Sequence, residues 1–332
     1  MKTRQIVLAS RPKGTLTLAN FRSETIDLSE IKKGEVLLKP NFYSVDPYMR
    51  GRMNDAKSYT EPFQIDQAIK GGVTATVIES KSDNFKSGDT VVGTLPWAEQ
   101  CVVSEKGLQK IDTSVAPESY YLGVLGMTGL TAYFGLIYIG KPKKGETVVV
   151  SGAAGAVGVV VGQIAKIHGC HVIGIAGSDE KVALLKETFG FDEAINYKTT
   201  KNLTEDIAKF CPKGVDIYYD NVGGEISDAV IANINFNARI ALCGQIALYN
   251  SSKIPVGPRI QPMLLTRSVL MQGFIVGNYS ADFSEGIKHL SGWVKDGKLK
   301  FAETIENGFD NLPKALLGLF NGENTGKMIV NA

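Results

Sequence analysis

Residues 147–169, TVVVSGAAGAVGVVVGQIAKIHG, contain the pattern that decides the fold of this chain. The first four residues are β-branched, which predicts a strand buried on both faces of a parallel sheet. Glycines follow at positions 152, 155 and 158, before an apolar run of helical character. Gly155 allows the backbone to approach a pyrophosphate, and Gly158 allows the helix to pack close to the strand. The stretch predicts the phosphate-binding turn of a doubly wound dinucleotide fold, although a tight turn that binds nothing has the same pattern.

The end of the second predicted strand, residues 171–176, indicates which dinucleotide binds. A site that prefers NAD usually places an acidic side chain there, against the ribose 2′-hydroxyl. Here the strand is followed by Ser178, with Lys181 in the first turn of a helix that begins with Ser178 or Asp179 as its cap residue. A hydroxyl and a cation suit a 2′-phosphate, and we therefore predict NADPH. The alternative is that Lys181 is only a solvated lysine of the first turn. Asp179 and Glu180 beside it are acidic, so binding of NAD stays a second possibility.

Composition excludes several classes of function. The chain has 332 residues, enough for two domains, with a net charge of +2 and 21% charged residues. This balance predicts no nucleic-acid partner and no membrane partner. No apolar run is long enough to span a bilayer, and the first residues lack the apolar region of a signal peptide, so we expect a cytoplasmic protein. The four cysteines and three histidines do not have the spacing of metal ligands, which predicts no metal site.

The order of the predicted elements divides the chain into three segments. Residues 1–125 contain short β-branched or alternating runs separated by turn signals, which predict a mostly β domain. Residues 126–298 alternate strand and helix, which predicts a parallel six-stranded sheet with helical crossovers. We expect residues 299–332 to return to the first domain. The six strands are predicted at residues 147–150, 171–176, 193–196, 215–219, 238–243 and 270–276.

Several motifs make the whole chain resemble a known family. KSGDTVVG at residues 86–93 and the glycine turn resemble the medium-chain dehydrogenase/reductase superfamily. SVDPYMRGRM at 44–53, DNVGG at 220–224 and NTGK at 324–327 resemble its zinc-independent branch. That branch contains leukotriene B4 12-hydroxydehydrogenase/prostaglandin reductase, plant alkenal double-bond reductases and bacterial curcumin reductase, and residues 46–59 are most similar to the last of these. The resemblance implies an α/β fold with a doubly wound parallel six-stranded Rossmann domain, which would bind NADP, and a mostly β GroES-like domain, which would bind the substrate.

Two departures from the zinc alcohol dehydrogenases of the superfamily concern the metal. Those enzymes carry a cysteine in the region where this chain has SVD at residues 44–46. They carry Gly-His-Glu where this chain has KGG at residues 70–72. Both sources of zinc ligands are absent from the sequence, and without a Lewis acid to polarise an alcohol we do not expect alcohol oxidation at a metal.

The resemblance also implies which residues contact the cofactor. The glycine turn would hold the pyrophosphate, while Lys181 and Tyr197, with Ser178 beside them, would meet the adenosine ribose and its 2′-phosphate. The other implied contacts follow the fourth, fifth and sixth strands or come from the tail, and most lie where open α/β sheets bind ligands. The complete set is Gly155, Ala156, Val157, Gly158, Ser178, Lys181, Tyr197, Asn221, Cys243, Gly244, Tyr249, Phe274, Ile275, Val276 and Asn324.

The activity that the resemblance implies is NADPH-dependent reduction of the C=C bond of an α,β-unsaturated ketone or aldehyde. Hydride transfer to the β-carbon leaves negative charge on the carbonyl oxygen, which needs a donor already in place. Without zinc, that donor is a hydroxyl, a backbone N–H or the ribose of the cofactor. Because a tyrosine keeps its proton at neutral pH, the candidate catalytic residues are Tyr249, Tyr59 and Tyr48. The alternative for each is a packing or lid aromatic.

Two other functions fit the same motifs. A quinone reductase of the superfamily would use the same cofactor on a flat ring, although the Tyr249-Asn250 pair and residues 46–59 favour the alkenal branch. An NADPH-binding protein without turnover would have the same fold. The resemblance also implies a homodimer joined through the last strand of the nucleotide sheet, residues 270–276.

Overall fold

The computed structural model describes residues 1–253 and 255–332, which form two compact units. The first unit contains Met1–Gly123, Glu303–Asn324 and Met328–Ala332, and the second contains Val124–Ala302 with Thr325–Lys327 of the tail. The strands in chain order are β1 (Lys2–Leu8), β2 (Phe21–Asp27), β3 (Glu35–Ser44), β4 (Lys70–Ser80), β5 (Thr90–Pro96), β6 (Cys101–Ser104), β7 (Gln109–Lys110), β8 (Thr147–Ser151), β9 (His171–Ala176), β10 (Glu193–Asn196), β11 (Val215–Asp220), β12 (Ile234–Leu242), β13 (Leu270–Gly273), β14 (Glu303–Asn307) and β15 (Lys327–Asn331). The helices are α1 (Tyr48–Arg52), α2 (Met127–Phe134), α3 (Gly158–Ile167), α4 (Asp179–Glu187), α5 (Leu203–Phe210), α6 (Gly224–Ala232), α7 (Gln261–Thr266), α8 (Phe283–Lys295) and α9 (Leu312–Asn321).

The second unit is built on a six-stranded parallel sheet with the order β10-β9-β8-β11-β12-β13. With helices α3 to α6 as crossovers, this order confirms the predicted doubly wound fold. Strand β8 lies at the centre of the sheet, and its residues Val148, Val149 and Val150 are fully buried. The order of the strands reverses between β8 and β11. The carboxyl ends of these two strands therefore mark the place where such a fold binds a nucleotide.

Two strands of this sheet differ from their predicted bounds. Strand β12 begins at Ile234 rather than at residue 238, and its pairing with β11 is irregular up to Arg239. Residues 235–237, NFN, contain two asparagines, which are uncommon in strands, and the left-handed φ of 57° at Asn237 interrupts the extended backbone. Strand β13 ends at Gly273 rather than at residue 276, because the chain there enters a 3-10 helical segment, Val276–Asp282.

The first unit is mostly β, as predicted. Its large sheet has the order β14-β15-β3-β4-β5-β7, with β6 beside β3, while β1 and β2 form a separate antiparallel pair. The tail strand β15 pairs antiparallel with β3, so both ends of the chain contribute to this sheet. Fully buried side chains of the core include Tyr43, Met49, Met53 and Trp97. The sequence does not predict β2, FRSETID, because most of its side chains are polar and none is fully buried.

Candidate functional site

The turn between β8 and α3 has the shape that a phosphate-binding loop requires. Residues 155–157 are partly exposed, whereas Ala154 and Gly158 on either side of them are buried. A Cβ on Gly158 would lie 2.4 Å from the carbonyl oxygen of Gly152, so close packing excludes a side chain there. A Cβ on Gly155 would meet only the same oxygen, at 3.2 Å. Gly155 therefore leaves room above the turn, which a pyrophosphate would fill.

The tail segment Thr325–Lys327 belongs to the same unit and is bound to this turn. The Gly326 N–H donates to the carbonyl oxygen of Ala154 at 2.7 Å, and the Lys327 N–H donates to that of Ala302 at 2.9 Å. The tail thereby fixes one side of the glycine turn. Asn324, which the sequence predicts to contact the cofactor, lies directly before this segment in the first unit, and its contact stays a prediction.

Side chains with cationic and hydroxyl groups gather beyond the end of β9. A Cβ on Gly177 would lie 3.1 Å from Cε1 of Tyr197 and 3.4 Å from Cε of Lys198, so both side chains cover this glycine. Burial, and then the nearby charge of Lys198, lower the pKa of the Lys181 ammonium. Two cations that repel one another beside a tyrosine form a suitable site for a phosphate dianion. The sequence analysis missed Lys198, although it follows Tyr197 directly.

Asp179 and Glu180, the acidic residues that could favour NAD, form hydrogen bonds with neighbouring groups. The Asp179 carboxylate accepts a hydrogen bond from Nδ2 of Asn196 at 2.7 Å. Hydrogen bonds from its own backbone N–H and from Ser178 lower the pKa of Glu180. Ser178, one of the two residues predicted as the cap, is the N-cap of α4, and its oxygen accepts the backbone N–H of Lys181 at 3.3 Å. The Ser178 hydroxyl is thus occupied in capping the helix, and its contact with the cofactor stays a prediction.

Asn221 joins the carboxyl ends of β8 and β11. Its backbone N–H donates to Oγ of Ser151 at 3.0 Å, and its Nδ2 donates to the carbonyl oxygen of Ser151 at 2.8 Å. These two bonds hold the residue directly beside Gly152, since a Cβ on Gly152 would lie 3.4 Å from Cβ of Asn221. Asn221 therefore stands where the sheet order reverses, which is the region predicted for the ribose and diphosphate.

Residues 243–249 form the loop that follows β12. Burial raises the pKa of the Cys243 thiol to about 12, so this thiol stays protonated. Burial also raises the pKa of Tyr249, whose hydroxyl oxygen accepts the Gln245 N–H at 3.2 Å. A Cβ on Gly244 would lie 3.4 Å from that hydroxyl and 3.1 Å from the carbonyl oxygen of Asn221. The loop thus brings the Tyr249 hydroxyl next to the end of β11, with its hydrogen able to donate.

The segment Phe274 to Val276 lies beyond the end of β13. The Phe274 side chain is 8% exposed and meets the Tyr219 ring edge-on, with centroids 6.3 Å apart. It packs into the core, so its ring does not line an open site. Ile275 is exposed, and Val276 opens the 3-10 segment. Any side-chain contact of this segment with the nicotinamide would come from Ile275 or from the half-buried Val276, and these contacts stay predictions.

The other two candidate tyrosines lie in the first unit. Tyr48 begins α1 and forms a hydrogen bond with Arg52, and burial, with the nearby charge of Asp46, raises its pKa. Tyr59 is 59% exposed. The Tyr48 hydroxyl thus keeps its proton at neutral pH, while the Tyr59 side chain is largely exposed to solvent, and a catalytic role stays a prediction for each.

A zinc ion does not fit the side chains present. Within residues 1–253 and 255–332, no group of three or more His, Cys, Asp and Glu side chains could hold a metal ion. In the region of the zinc ligands of the related alcohol dehydrogenases, the Ser44 hydroxyl donates to the Asp46 carboxylate. A Cβ on Gly71 would lie 2.4 Å from Cε of Met49, so a ligand side chain at that position would have to displace the end of the buried Met49 side chain. In the same described ranges, no helix is long and apolar enough to cross a membrane.

Comparison with known proteins identifies the family of this chain. A family model described as the N-terminal domain of oxidoreductase matches residues 4–111, and one described as zinc-binding dehydrogenase matches residues 156–292. The protein YfmJ of Bacillus subtilis (strain 168) is 59% identical over 328 residues, which cover 98% of this chain and 96% of YfmJ. The NADPH-dependent curcumin reductase of Escherichia coli (strain K12) is 42% identical over 334 residues, which cover 99% of this chain and 96% of that enzyme.

A solved structure gives the same result. CurA from Vibrio vulnificus, in complex with NADPH, superposes with a TM-score of 0.94 at 43% identity, covering 99% of each chain. Together with the glycine turn, this similarity over almost the whole chain confirms the resemblance found in the sequence. The chain belongs to the zinc-independent branch of the medium-chain dehydrogenase/reductase superfamily.

Proposed function

We propose that the protein reduces the C=C bond of α,β-unsaturated ketones or aldehydes with NADPH. The observation that carries this proposal is the similarity over nearly the full length to a reductase named for NADPH and curcumin, a conjugated enone. The site supports it independently, because a glycine turn and a pair of lysines lie at the carboxyl edge of the doubly wound sheet. We also propose that the first unit binds the substrate and the second binds the cofactor.

The residues of the second unit fit NADPH. Residues 155–157 would hold the pyrophosphate, because they present a partly exposed helix N-terminus with room above Gly155. Lys181, Lys198 and Tyr197 would hold the 2′-phosphate. The two ammonium groups repel one another, and a dianion between them would convert this repulsion into attraction. NADH offers no such charge, so this site should distinguish the two cofactors.

Tyr249 would stabilise the charge that develops on the substrate. Bound NADPH supplies a hydride for the β-carbon of the substrate. The carbonyl oxygen of the substrate then gains negative charge, and a hydroxyl directed at it lowers the barrier. Tyr249 suits this task because burial keeps its proton in place and the Gln245 N–H fixes its oxygen. Tyr48 and Tyr59 of the first unit are the alternative donors, and the proton for the α-carbon would come from water or one of these phenols.

The proposed assembly is a homodimer in the cytoplasm. Strand β13 is the last strand of the six-stranded sheet, and its Leu270 is 46% exposed, which suits pairing with a second copy. All four cysteines have free thiols, and three of them are buried, which suits a reducing compartment. Sedimentation equilibrium tests the dimer, since a monomer at micromolar concentration would contradict it.

The test of the activity is the consumption of NADPH with a panel of enals, enones and quinones, in the presence of EDTA and with NADH in parallel. We expect turnover on enals or enones, a preference for NADPH, and no effect of EDTA. With NADPH deuterated at the transferred position, the label should be found on the β-carbon of the saturated product. Turnover confined to quinones would identify a quinone reductase. Binding of NADPH without consumption across the panel would identify a protein that binds the cofactor without turnover.

A further inference from the structure

We propose that the buried carboxylate of Asp220 is a positioning residue, which holds the start of the glycine turn and the loop of residues 243–249 in the arrangement that binds the cofactor. This inference rests on the proposed function for its role, although the contacts that carry it belong to the chain itself. Asp220 ends β11 and has no exposed surface. It does not belong to the set of residues that the sequence predicts to touch cofactor or substrate.

The two carboxylate oxygens of Asp220 accept five hydrogen bonds. Oδ1 accepts from Oγ of Ser151 at 3.0 Å and from the hydroxyl of Tyr218 at 2.8 Å. It also accepts from the backbone N–H groups of Val222 at 3.0 Å and Gly223 at 2.9 Å. Oδ2 accepts from Nε2 of Gln245 at 3.1 Å. A carboxylate has about four lone-pair sites, which the five donors share, and no hydrogen of its own, whereas an amide in its place has no negative charge and would turn an N–H₂ group toward at least one donor.

One branch of these contacts leads to the glycine turn. Ser151 is the last residue of β8 and directly precedes Gly152. Its Oγ is shared between Asp220, to which it donates, and the backbone N–H of Asn221, from which it accepts at 3.0 Å. The carboxylate therefore fixes the point at which the chain leaves the sheet to form the pyrophosphate turn.

The other branch leads to Tyr249. The Gln245 side chain that donates to Asp220 also donates to the carbonyl oxygen of Gly244 at 2.9 Å, and the Gln245 backbone N–H donates to the Tyr249 hydroxyl at 3.2 Å. Gly223 has a φ of 73°, and a Cβ there would lie 2.1 Å from Oε1 of Gln245. Only glycine leaves the space in which Gln245 reaches the carboxylate. The position of the proposed oxyanion donor thus depends on Asp220 through one side chain.

Asp216 offers a matched control on the same strand. Its carboxylate accepts the backbone N–H of Thr147 at 2.8 Å and Nδ2 of Asn235 at 2.8 Å, so it ties β11 to the first residue of β8. Asp216 and Asp220 thus join the same two strands at opposite ends. Loss of either should cost stability, but only Asp220 lies at the carboxyl edge, where the nucleotide binds.

The experiment compares Asp220→Asn, Asp216→Asn and Gln245→Ala with the wild-type protein. Hydrogen exchange without cofactor should become faster by about ten-fold or more at residues 152–158 and 243–249 in D220N, because hydrogen bonds to a charged group are lost. In D216N exchange there should stay within about two-fold of wild type, with the change confined to the opposite edge of the sheet. By fluorescence titration, the Kd for NADPH should rise about ten-fold or more in D220N and less than about two-fold in D216N.

The outcomes separate this inference from the proposed function. A wild-type protein that does not bind NADPH would overturn the proposed function, while the exchange data would still test the positioning. Binding and exchange in D220N within about two-fold of wild type, or equal losses in D216N, would overturn the inference. If D220N does not fold, Q245A tests the inference instead, because, of the hydrogen bonds to Asp220, it removes only the one from the Gln245 side chain. It should raise the Kd and speed exchange at residues 243–249 alone, and unchanged values would overturn the inference.

Discussion

Replacement of Lys181 by alanine tests how the site distinguishes NADPH from NADH. The substitution leaves the cap of α4 in place, because Ser178 binds the backbone N–H of residue 181 and not its side chain. The Lys181 ammonium is partly buried and repelled by Lys198, and both effects lower its pKa. A 2′-phosphate between the two lysines would satisfy both charges. We therefore expect K181A to lose NADPH affinity while its affinity for NADH changes little.

The loss of NADPH affinity should differ between K181A and K198A, because Lys181 is partly buried and Lys198 is exposed. Loss of one partner of a buried, hydrogen-bonded charge pair costs about 2–5 kcal/mol. At about 1.4 kcal/mol per factor of ten, the Kd of K181A for NADPH should rise at least about 30-fold. Lys198 is exposed, and exposed ion pairs contribute about 0.2–1 kcal/mol, so K198A should raise the same Kd by no more than about five-fold.

The measurement is fluorescence titration of each variant with NADPH and with NADH at one ionic strength, together with calorimetric titration of 2′,5′-ADP. The control is Lys186→Ala, which removes a charge from the same helix, where Lys186 pairs with Glu193 at 2.8 Å. K186A should bind both cofactors as the wild-type protein does. Equal weakening of NADPH and NADH binding in K181A would refute the assignment, and so would a loss in K186A as large as that in K181A.

Three further predictions concern the turn, the donor and the pH dependence. Gly158→Ala should lower the free energy of unfolding by about 1–3 kcal/mol, because its Cβ would lie 2.4 Å from a backbone oxygen. Gly155→Ala should lower it less, because its Cβ would lie 3.2 Å from that oxygen, and should raise the Kd for NADPH by about ten-fold. Tyr249→Phe should lower kcat by about 100-fold with the Kd for NADPH nearly unchanged, and stopped-flow measurement of hydride transfer at an unchanged rate would exclude Tyr249 as the donor. Burial, with the charge of His289, lowers the pKa of His168 below 6.5, so the unfolded chain binds this proton more readily. Stability should therefore fall as the pH decreases through 6.5, and His168→Gln should reduce that fall in thermal unfolding curves.

The fold was predictable because its signals are local in the sequence. The β-branched run before the glycines predicts β8, and the bounds predicted for β10 agree with the structure. Predictions failed where polarity concealed a strand, as in β2, or where apolar residues continued beyond the end of one. Phe274 has the side chain expected of a strand, but it fills the core next to Gly135, where a Cβ would lie 2.5 Å from its ring. The apolar residues 274–276 therefore have the sequence pattern of a strand, although β13 ends at Gly273.

The candidate site was predictable only in part, and the division follows from physical causes. The sequence predicts residues that a ligand would touch, because a glycine turn after one strand and a lysine after the next fit the parts of a dinucleotide. It does not identify the residues that hold them, because their signal is contact between distant parts of the chain. Ser151 and Asp220 are separated by 69 residues, and Gln245 follows 25 residues after Asp220.

An acidic residue at the carboxyl end of a mostly apolar strand is nevertheless a signal that sequence reasoning can use. A buried carboxylate between VDIYY and NVGG is costly unless several donors surround it. At the carboxyl edge of a parallel sheet, the backbone N–H groups of the following turn are not paired with a neighbouring strand and can act as such donors. Asp220 satisfies this condition with the N–H groups of Val222 and Gly223. The same edge is where a doubly wound sheet binds a nucleotide, so a residue that holds the turn would also set the geometry of the proposed site.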